Sequence, residues 1–207
     1  MLDAAARRLI DPALDRAGTR LAAAGWTANR VTLAGLALGL ASAALIATGA
    51  TWVALAVLLA GRVFDGLDGA VARATRRTDY GGYLDITCDF LFYGAVPVGF
   101  VLLDPAANGP AGAFLLMSFY FNGASFLGYA ILAERHGLET RAQGIKSLYY
   151  SNGLLEGTET ILFFCLICLV PQAFAPLAWV FGLACIATAT LRLYGASRQF
   201  NDKEPSA

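Results

Sequence analysis

The stretch from Arg62 to Phe90 reads RVFDGLDGAVARATRRTDYGGYLDITCDF, and it decides the fold because it puts four carboxylates into two otherwise apolar segments. Asp65 and Asp68 are three residues apart, and Asp85 and Asp89 are four residues apart. On helices, residues at these spacings share one face. Carboxylates within membrane segments are costly and usually functional. The pattern therefore predicts two helices that meet across an acidic site.

If the two helices form an antiparallel hairpin that turns near Arg77, Asp65 lies at the depth of Asp89 and Asp68 at the depth of Asp85. The carboxylates then form two layers, roughly 10 Å inside the helix ends at about 1.5 Å per residue. Such crowding requires positive charge among them. Oxygen ligands alone favour Mg²⁺, with Mn²⁺ as the alternative. We expect all four aspartates to bind divalent metal.

Glycines and arginines surround this predicted site. Gly66 and Gly69 would weaken a helix in mid-span, so their presence asks for a reason, and close approach of a phosphate or nucleotide to the backbone is one. Arg73 is suited to bidentate binding of phosphate oxygens, and the arginines after it add positive charge. The alternative is a structural ion-pair cluster, but Arg62 and Arg73 cannot balance four carboxylates.

The composition of the chain fits a lipid environment. Of its 207 residues, 57% are hydrophobic and 14% are charged, whereas soluble domains average about 25% charged residues. A net charge of zero gives no reason to expect a nucleic-acid partner. We expect no cleavable signal peptide, so that the first span directs the chain to the membrane.

Periodicity and turn residues predict an all-α integral membrane protein that forms one domain over residues 1–207. Residues 1–25 are expected to form an interfacial amphipathic helix, and residues 31–194 a bundle of six transmembrane helices. The predicted spans lie near residues 31–50, 52–72, 82–103, 111–133, 155–171 and 174–194.

The distribution of positive charge predicts an orientation. With this threading, all 15 Lys and Arg residues lie on one side or near the helix ends of that side, and the loops near residues 50, 104–110 and 171–176 contain none. The positive-inside rule then places both termini and the acidic hairpin on the cytoplasmic side. The expected location is the inner, or cytoplasmic, membrane.

The residues of the acidic hairpin, from Asp65 to Asp89, resemble the signature of the CDP-alcohol phosphotransferases. These proteins, also called CDP-alcohol phosphatidyltransferases, are membrane enzymes of phospholipid synthesis. That signature is DxxDGxxAR, then seven or eight residues, then GxxxDxxxD. The segment Trp26–Thr32, WTANRVT, is similar to the start of the family's first span, and the string SLYYSNGLLEGTETI resembles a poorly characterised bacterial inner-membrane subgroup. The signature positions here are Asp65, Asp68, Gly69, Ala72, Arg73, Gly81, Asp85 and Asp89.

The resemblance implies transfer of a substituted phosphoryl group, usually phosphatidyl, from a donor such as CDP-diacylglycerol to an alcohol, with release of CMP. It implies two metal ions held by the four aspartates, with Asp89 also the general base, and it implies a homodimer. The donor contacts that it implies are Asn29, Arg30, Val31, Thr32, Gly69, Arg73 and Thr78.

The acceptor alcohol is expected to contact polar residues of the later spans. Glu156 and Glu159 either face that pocket or cap the fifth span, whose N-terminus favours acids. Because these glutamates lie between two basic residues, a polyhydroxyl or amine-bearing acceptor is as plausible as a phosphorylated one. The candidates are Lys146, Tyr149, Tyr150, Asn152, Glu156, Glu159 and Arg192.

Two other functions also use membrane carboxylates. Intramembrane prenyltransferases bind a diphosphate through aspartates and magnesium, but they are longer and carry two distant aspartate motifs. A cation transporter would be expected to show repeated halves or broken helices in both halves, and neither pattern is present in the sequence.

Overall fold

The computed structural model describes the backbone of residues 2–137, 155 and 157–200, with side chains from residue 12 onward. Throughout this part the regular structure is helical. The elements are α1 (Leu2–Ala23), α2 (Ala28–Ala47), α3 (Thr51–Ala74), α4 (Asp79–Leu103), α5 (Pro105–Arg135), α6 (Gly157–Leu169), a short 3₁₀ helix (Pro171–Ala173) and α7 (Phe174–Phe200). The prediction of an all-α protein is confirmed.

Four of the described helical segments are long and apolar enough to cross a membrane: α2, α4, α5 and the segment of the 3₁₀ helix with α7. Helix α6 is apolar but has only 13 residues. Helix α3 has 24 residues and carries charged side chains in its second half. The protein is therefore an all-α membrane protein.

The predicted loop at 104–110 is wrong, because α5 begins at Pro105 and only Asp104 separates it from α4. The Asp104 side chain accepts from the backbone N–H of Ala107 at 3.0 Å, which caps the new helix. The buried Asn108 side chain donates to the Phe100 carbonyl at 2.8 Å. Proline at the first position of a helix lacks a donor that would be unsatisfied there anyway, so Pro105 starts the helix.

Helix α2 packs between α3 and α4 through close backbone contacts. A Cβ atom on Gly35 would lie 3.3 Å from the Gly61 carbonyl oxygen on α3. A Cβ on Gly99 of α4 would lie 2.5 Å from the Ala43 carbonyl oxygen on α2. Small residues of this kind allow membrane helices to approach closely. They let α2 pack closely against α3 and α4, which are the two helices of the acidic hairpin.

Helix α1 lies against α3. A Cβ atom on Gly18 would approach the Ala70 side chain to 2.6 Å, and a Cβ on Gly66 would approach Leu14 Cδ1 to 2.8 Å. Packing against Leu14 is therefore a reason for Gly66 that the sequence did not indicate. A Cβ on Gly69 would meet only the Arg73 side chain, at 3.4 Å.

The interior and the outer surface of the bundle are both apolar. The main cluster of buried side chains includes Phe92, Phe100, Phe164 and Phe174, and the Phe100 and Phe174 rings stack with centroids 4.8 Å apart. Large apolar side chains also point outward, as contact with lipid requires. Examples are Leu33, Val53, Leu59, Val98, Met117, Val180 and Leu183.

We predict that Gly99→Ala destabilises the bundle by about 1–3 kcal/mol, because the new methyl group collides with the α2 backbone. The measurement is thermal unfolding of the purified protein in detergent. Gly94→Ala is the matched control on the same helix, since nothing lies within 4 Å of its Cβ position. This control should be neutral or slightly stabilising. Equal midpoints for both variants would contradict the close α2–α4 contact.

Candidate metal centre and donor site

The α3–α4 hairpin brings three of the four aspartates together. Asp65 and Asp68 lie in the second half of α3 and Asp85 lies in the second turn of α4. Each offers a carboxylate oxygen, and these oxygens all lie within 4.8 Å of one another. Three carboxylates so close require positive charge between them, and a donor set of oxygens alone suits Mg²⁺ or Mn²⁺. The residues present therefore fit a hard divalent cation.

A hydroxyl group from α2 orients the buried aspartate. Thr32 Oγ1 donates to Asp68 Oδ2 at 2.6 Å, and both residues are buried. The Ala28 carbonyl, 3.1 Å from the same hydroxyl, is an alternative acceptor. Hydrogen bonds from such partners fix the direction of a ligating carboxylate. Thr32 was predicted to contact the donor, and its observed contact is with Asp68.

The fourth aspartate, Asp89, is held by an arginine. Arg62 Nη1 lies 2.9 Å from Asp89 Oδ1 and 3.4 Å from Asp65 Oδ1. The guanidinium also lies over the Phe92 ring, 4.1 Å from its centroid, which is a favourable cation–π contact. Asp65 and Asp89 therefore share one cation across the hairpin, and this contact fits the depth pairing predicted from the sequence.

Arg73, predicted to bind phosphate at the mouth of the site, contacts α1. Its Nε and Nη2 atoms donate to Asp15 Oδ1 at 3.0 and 2.6 Å. Its Nη1 atom lies beside the open face of Gly69. Asp15 was not predicted as its partner, since the two residues are separated by 58 positions. The only signal was that Asp15 is an acid on a helix rich in arginine.

The other predicted donor contacts lie near the beginnings of α2 and α4. Thr78 Oγ1 accepts from the backbone N–H of Gly81 at 3.0 Å and so caps α4. A Cβ atom on Gly81 would lie 3.4 Å from Asn29 Oδ1, which places Asn29 at the same helix start. Arg30 is exposed, whereas Val31 is fully buried in a cluster between α1, α2 and α3.

The predicted acceptor residues are only partly described. Arg192 is buried, and its Nη1 donates to the Asn122 side chain at 2.9 Å and to Ser125 Oγ at 2.5 Å, which ties α7 to α5. Glu159 is half-buried in the first turn of α6, where an acid is favourable. The candidates outside the described residues are Lys146, Tyr149, Tyr150, Asn152 and Glu156.

The chain is similar to known membrane proteins along most of its length. A family profile described as CDP-alcohol phosphatidyltransferase matches residues 25–191. The inner membrane protein YnjF of Escherichia coli (strain K12) is 45% identical over 194 residues, which cover 94% of each chain. Archaetidylinositol phosphate synthase of Methanothermobacter thermautotrophicus is 39% identical over 94 residues, which cover 45% of each chain.

Solved structures share the fold. The crystal structure of Mycobacterium tuberculosis phosphatidylinositol phosphate synthase (PgsA1) with CDP-DAG bound has a TM-score of 0.70 at 22% identity, and the match covers 94% of this chain and 98% of that one. The structure of the same enzyme in complex with manganese and citrate also has a TM-score of 0.70 and covers 93% of each chain. Since the family profile spans most of the chain and YnjF matches nearly all of it, this protein belongs to the CDP-alcohol phosphatidyltransferase family of enzymes.

Proposed function

We propose that this protein transfers a phosphatidyl group from a CDP-linked donor such as CDP-diacylglycerol to a small polar alcohol, with release of CMP, in phospholipid biosynthesis. The observation that carries the proposal is the cluster of Asp65, Asp68 and Asp85, which lies on the same helical hairpin as Arg73 and Gly69. Family membership supports the reaction class. It argues against the prenyltransferase and transporter alternatives.

The proposed cofactor is Mg²⁺, with Mn²⁺ as the alternative, at two ions per site. Asp65, Asp68 and Asp85 would hold the first ion, and Asp89 would contribute to the second. Support comes from the oxygen cluster and from the related M. tuberculosis enzyme in complex with manganese. When bound, the ions neutralise the donor diphosphate and stabilise the departing CMP. Because Arg62 lies 2.9 Å from Asp89, this carboxylate must share or release Arg62 to bind an ion.

Asp89 is the proposed general base. Its carboxylate accepts the proton of the acceptor hydroxyl while the alcohol oxygen bonds to the phosphorus and the bond from that phosphorus to the CMP oxygen breaks. Where Arg62 is shared with the ion and not released, its contact holds one of the two carboxylate oxygens in place. A fixed base is aligned with the hydroxyl for a larger fraction of the time, which favours turnover.

The donor is proposed to bind across the beginnings of α2 and α4. Arg73 contributes charge-assisted hydrogen bonds to phosphate oxygens, and the missing side chain of Gly69 leaves room for the Arg73 guanidinium beside the backbone. Thr32 acts through Asp68. The proposed donor residues are Asn29, Arg30, Val31, Thr32, Gly69, Arg73 and Thr78, with Val31 contributing through packing.

The acceptor is a small polar alcohol, proposed to bind near Glu159 and Arg192 together with Lys146 and Glu156. Similarity to archaetidylinositol phosphate synthase supports a phosphorylated polyol. The two glutamates support a neutral polyol or an amine-bearing alcohol. Both kinds of acceptor therefore belong in the assay.

We also propose six transmembrane helices, α2 to α7, preceded by α1 at the membrane interface, in a single domain that forms a homodimer. The 24-residue length of α3 is enough to span a hydrocarbon core despite its charges. Similarity to an inner membrane protein supports the location. The absence of Lys and Arg from the helix junctions near residues 50, 104 and 171 supports a cytoplasmic active site and cytoplasmic termini.

We predict that turnover requires a divalent metal ion. Purified protein given labelled CDP-diacylglycerol and a panel of alcohols should release CMP and form one lipid product by mass, but only with Mg²⁺ or Mn²⁺ present. Asp68→Asn should abolish turnover and weaken Mn²⁺ binding, measured by electron paramagnetic resonance. Thr32→Val should weaken Mn²⁺ binding about 10–100-fold, the usual effect of losing a partner of a metal ligand.

Asp79→Asn is the control for that experiment, since this exposed acid lies outside the oxygen cluster. It should bind Mn²⁺ as the unaltered protein does. Full activity in excess chelator would rule out the metal site. No CMP release with any alcohol would rule out the reaction.

The variant Asp89→Asn should distinguish a role of Asp89 as general base from a role as metal ligand. If Asp89 is the base, donor and metal affinities stay within about tenfold, or roughly 1.4 kcal/mol, while turnover falls by about a hundredfold or more. The measurements are CMP release and Mn²⁺ titration of one preparation. Loss of metal binding as complete as in Asp68→Asn would show that Asp89 is chiefly a ligand. Glu156 would then be the next candidate for the base.

Cysteine labelling tests the orientation. Thr78 caps α4, so the neighbouring exposed Arg77 is the better site for a new cysteine. Arg77→Cys in intact cells should resist a membrane-impermeant thiol reagent and react only after the membrane is opened. Ala106→Cys, exposed at the start of α5, should react from outside. The reverse pattern would refute a cytoplasmic active site.

A further inference from the structure

The Arg73 guanidinium contacts Asp15 with one edge and lies beside Gly69 with its Nη1 atom. Its Nε and Nη2 atoms donate to the same oxygen of Asp15 on α1. The Nη1 atom lies on the side of Gly69, 3.4 Å from where a Cβ would stand. The contact with Asp15 thus holds the guanidinium in one orientation, with Nη1 on the Gly69 side of α3, the side on which the donor diphosphate is proposed to bind.

Asp15 belongs to a firmly packed part of α1. Leu14, its neighbour in the chain, fills the face of Gly66, and Gly18, one turn later, contacts Ala70. Leu14 and the residues one turn on also pack against the buried cluster between α1, α2 and α3. The Asp15 carboxylate is therefore presented from a fixed backbone to the end of α3, where Arg73 lies.

The contact contributes little to the stability of the fold. The Arg73 side chain is 35% exposed and that of Asp15 is 53% exposed, and exposed ion pairs of this kind are weak. Its effect is on orientation, because a long arginine side chain that is unrestrained samples many rotamers, and binding phosphate must then restrict them. A partner that restricts them beforehand improves binding of the ligand.

We propose that Asp15 is a positioning residue for the CDP-linked donor, which acts by holding Arg73 with its Nη1 edge directed over Gly69. This inference rests on the proposed function, since Arg73 must bind the donor diphosphate. It adds α1 to the active site, although α1 lies outside the signature segment. Asp15 itself touches neither the donor nor the reacting atoms.

The test compares KM for CDP-diacylglycerol with kcat in the full-length protein. Asp15→Ala should raise donor KM about three- to fivefold, the effect expected for one exposed charge-assisted contact, with kcat at saturating donor changed less than about twofold. Asp15→Glu, which keeps the carboxylate, should restore KM to within about twofold. Asp104→Asn is the matched control, because it removes an exposed charge while asparagine still caps α5.

The same change in an Arg73→Lys background distinguishes positioning from a general effect on the fold. A lysine ammonium lacks the second edge of a guanidinium, so Asp15 cannot direct one toward the donor. In the Arg73→Lys background, Asp15→Ala should therefore add no further increase in the KM for the donor. An increase of equal size in both backgrounds, or a lower KM in Asp15→Ala, would overturn the inference; the second result would mean that Asp15 competes with the donor. Unaltered protein that releases no CMP would overturn the proposed function, and this inference with it.

Discussion

The fold must hold four carboxylates on one helical hairpin of an apolar bundle, with Asp68 buried and Asp65, Asp85 and Asp89 half-buried. Buried charges are tolerated only when they are paired and hydrogen-bonded. The described contacts of the aspartates supply part of this pairing: Thr32 donates a hydrogen bond to Asp68, and Arg62 lies between Asp65 and Asp89. The three-oxygen cluster that remains is a place for external positive charge. The same constraint thus explains the helix packing and the chemistry of the site.

These contacts depend in turn on how closely the helices approach. Thr32 reaches Asp68 from α2 because α2 and α3 touch at Gly35 and Gly61, where each glycine lies against the other's carbonyl oxygen. Gly35 is one turn from Thr32, so a larger side chain there would move the hydroxyl away from the carboxylate. Glycines that look unfavourable by helix propensity are required by the distance between helix axes. The polar contacts of the site follow from that distance.

The sequence predicted what depends on local spacing, namely the helices, the hairpin and the sharing of faces by Asp65 and Asp68. It did not predict what depends on contacts between distant segments. The partner of Arg73 is 58 positions away, and the packing of Gly66 against Leu14 was not predicted. Side-chain spacing along one helix carries no information about which other helix covers it. The start of α5 was placed too late because proline was taken as a loop signal, whereas Pro105 begins the helix.

Arg62 gives the hairpin a positive charge that is part of the chain itself and does not dissociate as a metal ion does. It is anchored on Phe92 and reaches carboxylates of both helices, so one negative charge is balanced by the protein itself before any ion binds. A hairpin of four unpaired carboxylates would repel itself, and the closed arrangement would then need metal in order to form. Because Arg62 on α3 attracts the Asp89 carboxylate on α4, the two helices are held together even at low metal concentration. Binding energy from an arriving ion then need not be used to close the hairpin.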